Sequence, residues 1–186
     1  CLRQPSAKRV LFRVVDAHEL LFPDSSFDII ASALVLNFIS DNHRSLGEMR
    51  RVGCPGGLVA GYVWDFTSDR APNSCVALGL RQMGIAIPKV PGTDKSTQDF
   101  LKASFEGAKL EEISLKSFDV CVRFSHFEEF WHTQIPSFSP LCKIIKGLGD
   151  ANQMKLIDLV RAQLVFDRDG TVSWSVRANA IKARVP

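Results

Sequence analysis

A chain of 186 residues has the size of one domain, and 46% hydrophobic with 23% charged residues is the balance of an ordinary globular protein. A net charge of +3, with no stripe of Lys and Arg, argues against a nucleic-acid surface, and no apolar run reaches the about 20 residues that a membrane-spanning helix needs. Five cysteines, none in a C-x-x-C pair, and four scattered histidines give neither a disulfide framework nor a metal-ligand spacing.

The first element is Val10–Val15, VLFRVV, an apolar and β-branched strand that stops at Asp16. The basic residues around it, Lys8, Arg9 and Arg13, read as a solvated end. Phe22-Pro23-Asp24-Ser25-Ser26 is a turn cluster, in which Asp24, with Asp28 beyond it, stabilises the bend. Phe27–Leu36 follows as a strand with Ile29, Ile30 and Ala31 at its centre. Asp41–Val52 is a helix. Leu46, Met49 and Val52 recur at helical spacing, Ser40 or Asp41 can cap the start, and Arg50 and Arg51 suit the negative end of the dipole. Gly53, Pro55, Gly56 and Gly57 end it, and Leu58–Trp64 is an apolar run of strand length.

Cys75–Ile87 reads as a helix with Val76, Leu80 and Met83 on one face, and the Pro- and Gly-bearing stretch 88–97 as a loop. A helix over 98–106 places Phe100, Leu101 and Phe105 inward. Leu110–Val122 alternates as a strand with one wetter face. Phe127, Phe130 and Trp131 stand at helical spacing. Ala151–Leu164 is an amphipathic helix, D-R-D-G at 167–170 a hairpin-type turn, and Thr171–Ala183 a closing strand. Strands alternating with helices predict an α/β fold, with a mostly parallel sheet covered on both faces. In such sheets ligands bind beyond the carboxyl ends of the strands. Here that rule selects Asp16-Ala17-His18, Ser32-Ala33-Leu34 and Trp64-Asp65-Phe66.

The run VVDA, LLFPDSSFDII, LVLNFISD, LGEMRRV and PGGLVAGYVWDF resembles, in order and spacing, the middle of a class I S-adenosylmethionine-dependent methyltransferase of the small-molecule type 11 family. The resemblance implies a Rossmann-like doubly wound sheet, whose antiparallel last strand, 172–181, inserts between the fifth and sixth. It also implies one partial domain over 1–186, with 1–66 as the cofactor-side core. Residues 67–186 would then be the C-terminal half, in which an insertion over 124–148 forms part of the acceptor pocket. The family's first strand, G-x-G-x-G loop and second strand have no counterpart before Val10, so a fragment that lacks the first two strands and the Gly-rich loop is expected. Residues 1–21 are then expected to be displaced or to pair directly with the Phe27 strand.

By the same resemblance, Asp16 accepts a hydrogen bond from the adenine amino group of S-adenosyl-L-methionine, with the Ala17 backbone beside it. Ser32 and Ala33 lie near the donor's methionine part, and Trp64, Asp65 and Trp131 belong to the acceptor side. Each residue has a plainer reading. Asp16 can end a strand, His18 can be an exposed loop histidine, and Ser32 and Ala33 can be small packing residues. Asp65 can start a turn, and Trp131 with Phe127, Phe130 and His132 can be core. His126 and His132 have no carboxylate partner at a recognisable spacing. Methyl transfer from a sulfonium needs in-line positioning more than acid–base help, so the missing triad or metal motif is no obstacle. The expected activity is methylation of a small-molecule acceptor in the cytoplasm, with neither nucleic acid nor membrane as partner. The alternative is a non-catalytic remnant of the fold, for which enzyme status stays open. A nicotinamide-dependent reductase has no G-x-G-x-x-G turn to support it.

Overall fold

The computed structural model describes residues 10–137 and 139–186. Five strands form one sheet: β1 (Phe27–Ala33), β2 (Gly53–Trp64), β3 (Glu111–Phe124), β4 (Val165–Phe166) and β5 (Val172–Arg184). Their order is β1-β2-β5-β3, with β4 paired to β5. β1 and β2 are parallel, and β5 runs antiparallel to both β2 and β3. The closing strand therefore lies between the strands that the resemblance numbers fifth and sixth, as expected.

Helix α1 (Asn42–Val52) forms where the periodicity places it, and the Asp41 side chain accepts from the Arg44 N–H to cap it. Helix α2 (Ser74–Gln82) is shorter than the apolar pattern, because the chain turns at Gly84, whose φ is +74°. Helix α3 (Gln98–Gly107) is capped by the Thr97 hydroxyl. Helices α4 (Phe127–Gln134), α5 (Pro140–Lys146) and α6 (Asp150–Arg161) fill the connection between β3 and β5. The one G-x-G of the described residues, Gly147-Leu148-Gly149, joins α5 to α6 rather than following a strand.

Two hydrophobic clusters result. In the first, α1 and α3 cover one sheet face: Leu46, Met49, Leu101 and Phe105 meet Val59, Val63, Ile181 and Ala183. In the second, α2 and α4–α6 gather around Val172 and Trp174 at the start of β5. Elsewhere the opposite sheet face is open. Ile29, Tyr62, Phe118 and Val120 are 65%, 41%, 45% and 43% exposed, so the expected cover on both faces is corrected to cover on one.

The Val10–Val15 strand is also corrected. These residues pair with no strand, and Val10, Leu11, Phe12 and Val14 are exposed. A strand is stabilised by its ladder and by cross-strand contacts, and here it has neither neighbour. The expected displacement is observed over residues 10–15, while 16–20 are held against α1 and 1–9 lie outside the described residues. The Phe27 strand stops at Ala33, three residues before Leu36. Leu34 takes φ +60°, and Leu36–Phe38 wind into a 3-10 turn that buries Leu36 and Asn37.

Candidate functional site

The parallel pair sets the end where a site can form. Ala33 pairs with Tyr62, and the Leu34 N–H donates to the Tyr62 carbonyl at 2.8 Å, so the tips of β1 and β2 leave the sheet side by side. Neighbouring residues of a strand face opposite sides. Ser32 lies on the side of Ile30, which packs against the first cluster, and the exposed Ala33 faces the open side. The two therefore cannot present their side chains to one ligand surface together.

Asp16-Ala17-His18 reaches the same end by a route the sequence did not disclose. The Asp16 carboxylate accepts from the His18 N–H at 2.8 Å and from His18 Nδ1 at 2.9 Å. The backbone donor first, and then the ring, hold the Asp16 carboxyl below its ordinary range. His18 is half-buried rather than a free loop histidine. Its Nε2 lies 3.5 Å from Ser40 Oγ and 3.4 Å from the Asp41 nitrogen, at the start of α1. α1 holds this segment along its length. Arg44 Nε donates to the His18 carbonyl at 2.9 Å, and Glu48 accepts from the Leu20 N–H at 2.7 Å. Arg51 donates to the carbonyls of Leu20 and Phe22 and pairs with Glu48 and with Asp24. Asp24 thus does more than shape its turn.

Arg51 was legible only as a dipole-complementing cation, because apart from Glu48 on its own helix its partners lie 27 to 31 residues away. Its replacement by Met keeps the stem and removes five hydrogen bonds. The expected result is release of residues 16–24, seen as new proteolytic cleavage there while α1 stays protected from hydrogen exchange. The Glu48 carboxyl is held low, chiefly by Arg51. Its contribution is therefore complete above the ordinary glutamate range and is lost as pH falls through the lowered folded value.

At the β2 tip, the Asp65 carboxylate accepts from Thr67 N–H and Oγ1 and from Ser68 N–H, at 2.8–3.1 Å. It is buried, and although burial alone raises its pKa, the Ser68 and Thr67 donors together hold it low. Asp65 heads its own turn, and the half-buried Trp64 precedes it. A second 3-10 turn, Asp94–Ser96, packs beside Leu36–Phe38. Ser96 Oγ accepts from the Phe66 N–H, and Lys95 Nζ donates to the carbonyls of Ile39 and Ser40 and to Asn42 Oδ1. The Phe38 and Phe66 rings meet edge-on at 6.2 Å. An open groove of about 460 Å³ runs between the start of α1 and α3, past Ser40, His43, Lys95, Phe100 and Ser104.

Trp131 lies apart from these tips. It stacks on Phe127 at 6.0 Å within the second cluster, and Phe130 is fully buried there. His126 Nδ1 accepts from the Glu129 N–H and so caps the start of α4; with its lone pair used there, it has no proton to give Glu128, whose carboxylate lies 3.3 Å away. Histidine in place of the usual Ser or Asp cap hid this role. Cys54, Cys75, Cys121 and Cys142 are free, and burial pushes the Cys75 thiol up to about 12. Among the described residues no His, Cys, Asp and Glu cluster could hold a metal, and no helix is long and apolar enough to cross a membrane.

Residues 2–61 match a family model described as a methyltransferase domain. The 27-O-demethylrifamycin SV methyltransferase of Amycolatopsis mediterranei is 30% identical over 57% of this chain and 39% of its own length. The sterol 24-C-methyltransferase of Pneumocystis carinii is 28% identical over 55% and 28%. The phosphatidylethanolamine N-methyltransferase of Cereibacter sphaeroides is 35% identical over 37% and 33%. The chain thus spans 28% to 39% of these curated relatives. In structure it resembles a Bacillus halodurans protein assigned as a methyltransferase, with TM-score 0.51 at 16% identity, over 92% of this chain and 70% of that one.

Proposed function

We infer that this chain, a class I methyltransferase by its fold and by the family match over residues 2–61, takes part in methyl transfer from S-adenosyl-L-methionine to a small-molecule acceptor. The observation that carries the reading is the convergence of Asp16-Ala17-His18, the β1 tip and the β2 tip at one end of the sheet. The residues fit the adenosine half of the donor. One oxygen of Asp16 is engaged by His18, and the exposed second oxygen is left to accept from the adenine amino group. Ala17 lends its backbone, and Ser32 and Ala33 flank the β1 tip.

The bound donor would supply a sulfonium-activated methyl group. The protein's part is to hold donor and acceptor in line and keep water out. Residues 1–66 serve the cofactor side in this reading, and Trp64 and Asp65 at the β2 tip the acceptor side, whereas Trp131, packed on Phe127 away from the tips, does not reach it. The three curated relatives are named for O-, C- and N-methylation, so their names do not choose the acceptor atom. Free thiols accord with a cytoplasmic setting.

Calorimetric titration with S-adenosylhomocysteine tests the reading. Micromolar binding that weakens about tenfold or more in Asp16→Asn, as expected for a hydrogen bond to a charged group, supports it. No binding at millimolar ligand overturns it in favour of a non-catalytic remnant. One observation favours that second reading: the unpaired Val10–Val15 run and the open sheet face leave the donor's other half without a wall.

A further inference from the structure

One run of the chain and one edge of the sheet are left without partners. Val10–Val15 pairs with no strand, and Val10, Leu11, Phe12 and Val14 are exposed. β1 stands last in the strand order, so its outer edge has no ladder among the described residues. The two end strands guard their edges differently. β3 carries Glu111, Glu112, Lys116, Asp119 and Arg123, whereas Asp28 is the one charge of β1. Charges keep an edge from pairing with another chain, and an apolar edge invites it.

The run and the edge match each other. Arg13 is the one charge of Val10–Val15. Its guanidinium lies over the Phe22 ring at 5.6 Å, and among the described residues neither Arg13 nor Asp28 has an ion-pair partner. An antiparallel register with Arg13 opposite Asp28 sets Val14 opposite Phe27, Phe12 opposite Ile29, Leu11 opposite Ile30 and Val10 opposite Ala31. Residues opposite each other share a sheet face. Val10 and Phe12 therefore join Ala31 and Ile29 on the open side, and Arg13 meets Asp28 on the other.

One chain cannot make this register with itself. It places Val14 at the base of β1, yet Asp16 and His18 are held at the opposite end, beside Ser40 and Asp41. α1 spans the distance between those ends, about 16 Å, and two residues reach at most about 7 Å. A parallel register within one chain would leave only 16–26 as the crossover. That is short of the roughly dozen or more residues such a link takes, and α1 pins it besides. We propose that the partner is a second copy of this chain, each copy adding its Val10–Val15 to the β1 edge of the other about a two-fold axis. The two β1 strands then run in opposite directions, so the tips of one copy stand level with the base of the other. Asp16 keeps its place beside α1. Both free edges are used in the exchange, which therefore stops at two copies. The proposal is independent of the methyl-transfer reading.

The test is sedimentation equilibrium of the full chain at micromolar concentration. Wild type is expected at twice the monomer mass. Arg13→Asp and Asp28→Arg should each weaken the dimer about tenfold, since each sets two like-charge pairs face to face. Mixing these two variants should restore wild-type affinity, because every 13–28 pair of the mixed dimer is again of opposite sign. Phe12→Pro places a strand breaker in a run that is exposed in the monomer. It should give a monomer whose α1 amides stay as protected from hydrogen exchange as those of wild type diluted to monomer. A wild type that stays monomeric overturns the proposal. So does a dimer that Phe12→Pro leaves intact, a mixture of the charge variants no tighter than either alone, or growth into open-ended assemblies.

Discussion

Phe105→Ala is expected to destabilise the protein by about 3–5 kcal/mol, the usual cost of a large cavity in a packed core. Phe105 is completely buried and comes from α3 into the cluster that joins α1 to the covered sheet face. Typical domains have only about 5–15 kcal/mol in total. The same face here has no second helical layer behind it, which leaves few other contacts to share the loss. Urea unfolding followed by far-UV circular dichroism measures this as a lower midpoint with unchanged slope. A loss under about 1 kcal/mol would show that the site collapses freely around the void and that α3 is not wedged against the sheet.

Gly92→Ala should cost about 2–5 kcal/mol, the sum of left-handed backbone strain and overpacking. Gly92 has φ +69°, and a Cβ there would stand 1.7 Å from the Asn37 carbonyl oxygen and 2.7 Å from its carbon. Both obstacles are backbone, so neither can rotate away. The Asp94–Ser96 turn must lift instead, which strains the Ser96 bond to Phe66 and the Lys95 bonds to Ile39 and Ser40. Gly84→Ala is the control. Its φ is +74° and nothing stands within 4 Å of the added carbon, so only the backbone cost of about 1–2 kcal/mol is expected. Equal melting temperatures for the two variants would remove the argument that this turn is clamped to the strand tips.

Much of the fold was readable along the chain because its causes are local. The α1 periodicity, the Asp41 cap and the turn at 167–170 all act within a few residues. The site was half readable. Asp16 and the tips of β1 and β2 stand at strand-end positions that apolar runs reveal. The hold of His18 on the start of α1 was not, because Ser40 and Asp41 stand far from it in the chain. Arg51 as the tie for residues 20–24 stayed hidden for a similar reason, since those partners are distant in the chain, whereas His126 as a helix cap was hidden only by its residue type.

What the amino-acid order determined by itself is the set of elements and the end of the sheet where chemistry belongs. Helix and strand periods and turn residues are properties of a few consecutive side chains. Tertiary structure alone decided that Val10–Val15 stays unpaired and that one sheet face stays open. A strand becomes a strand only when another supplies its hydrogen bonds, and a polar group is satisfied only by what the fold brings beside it.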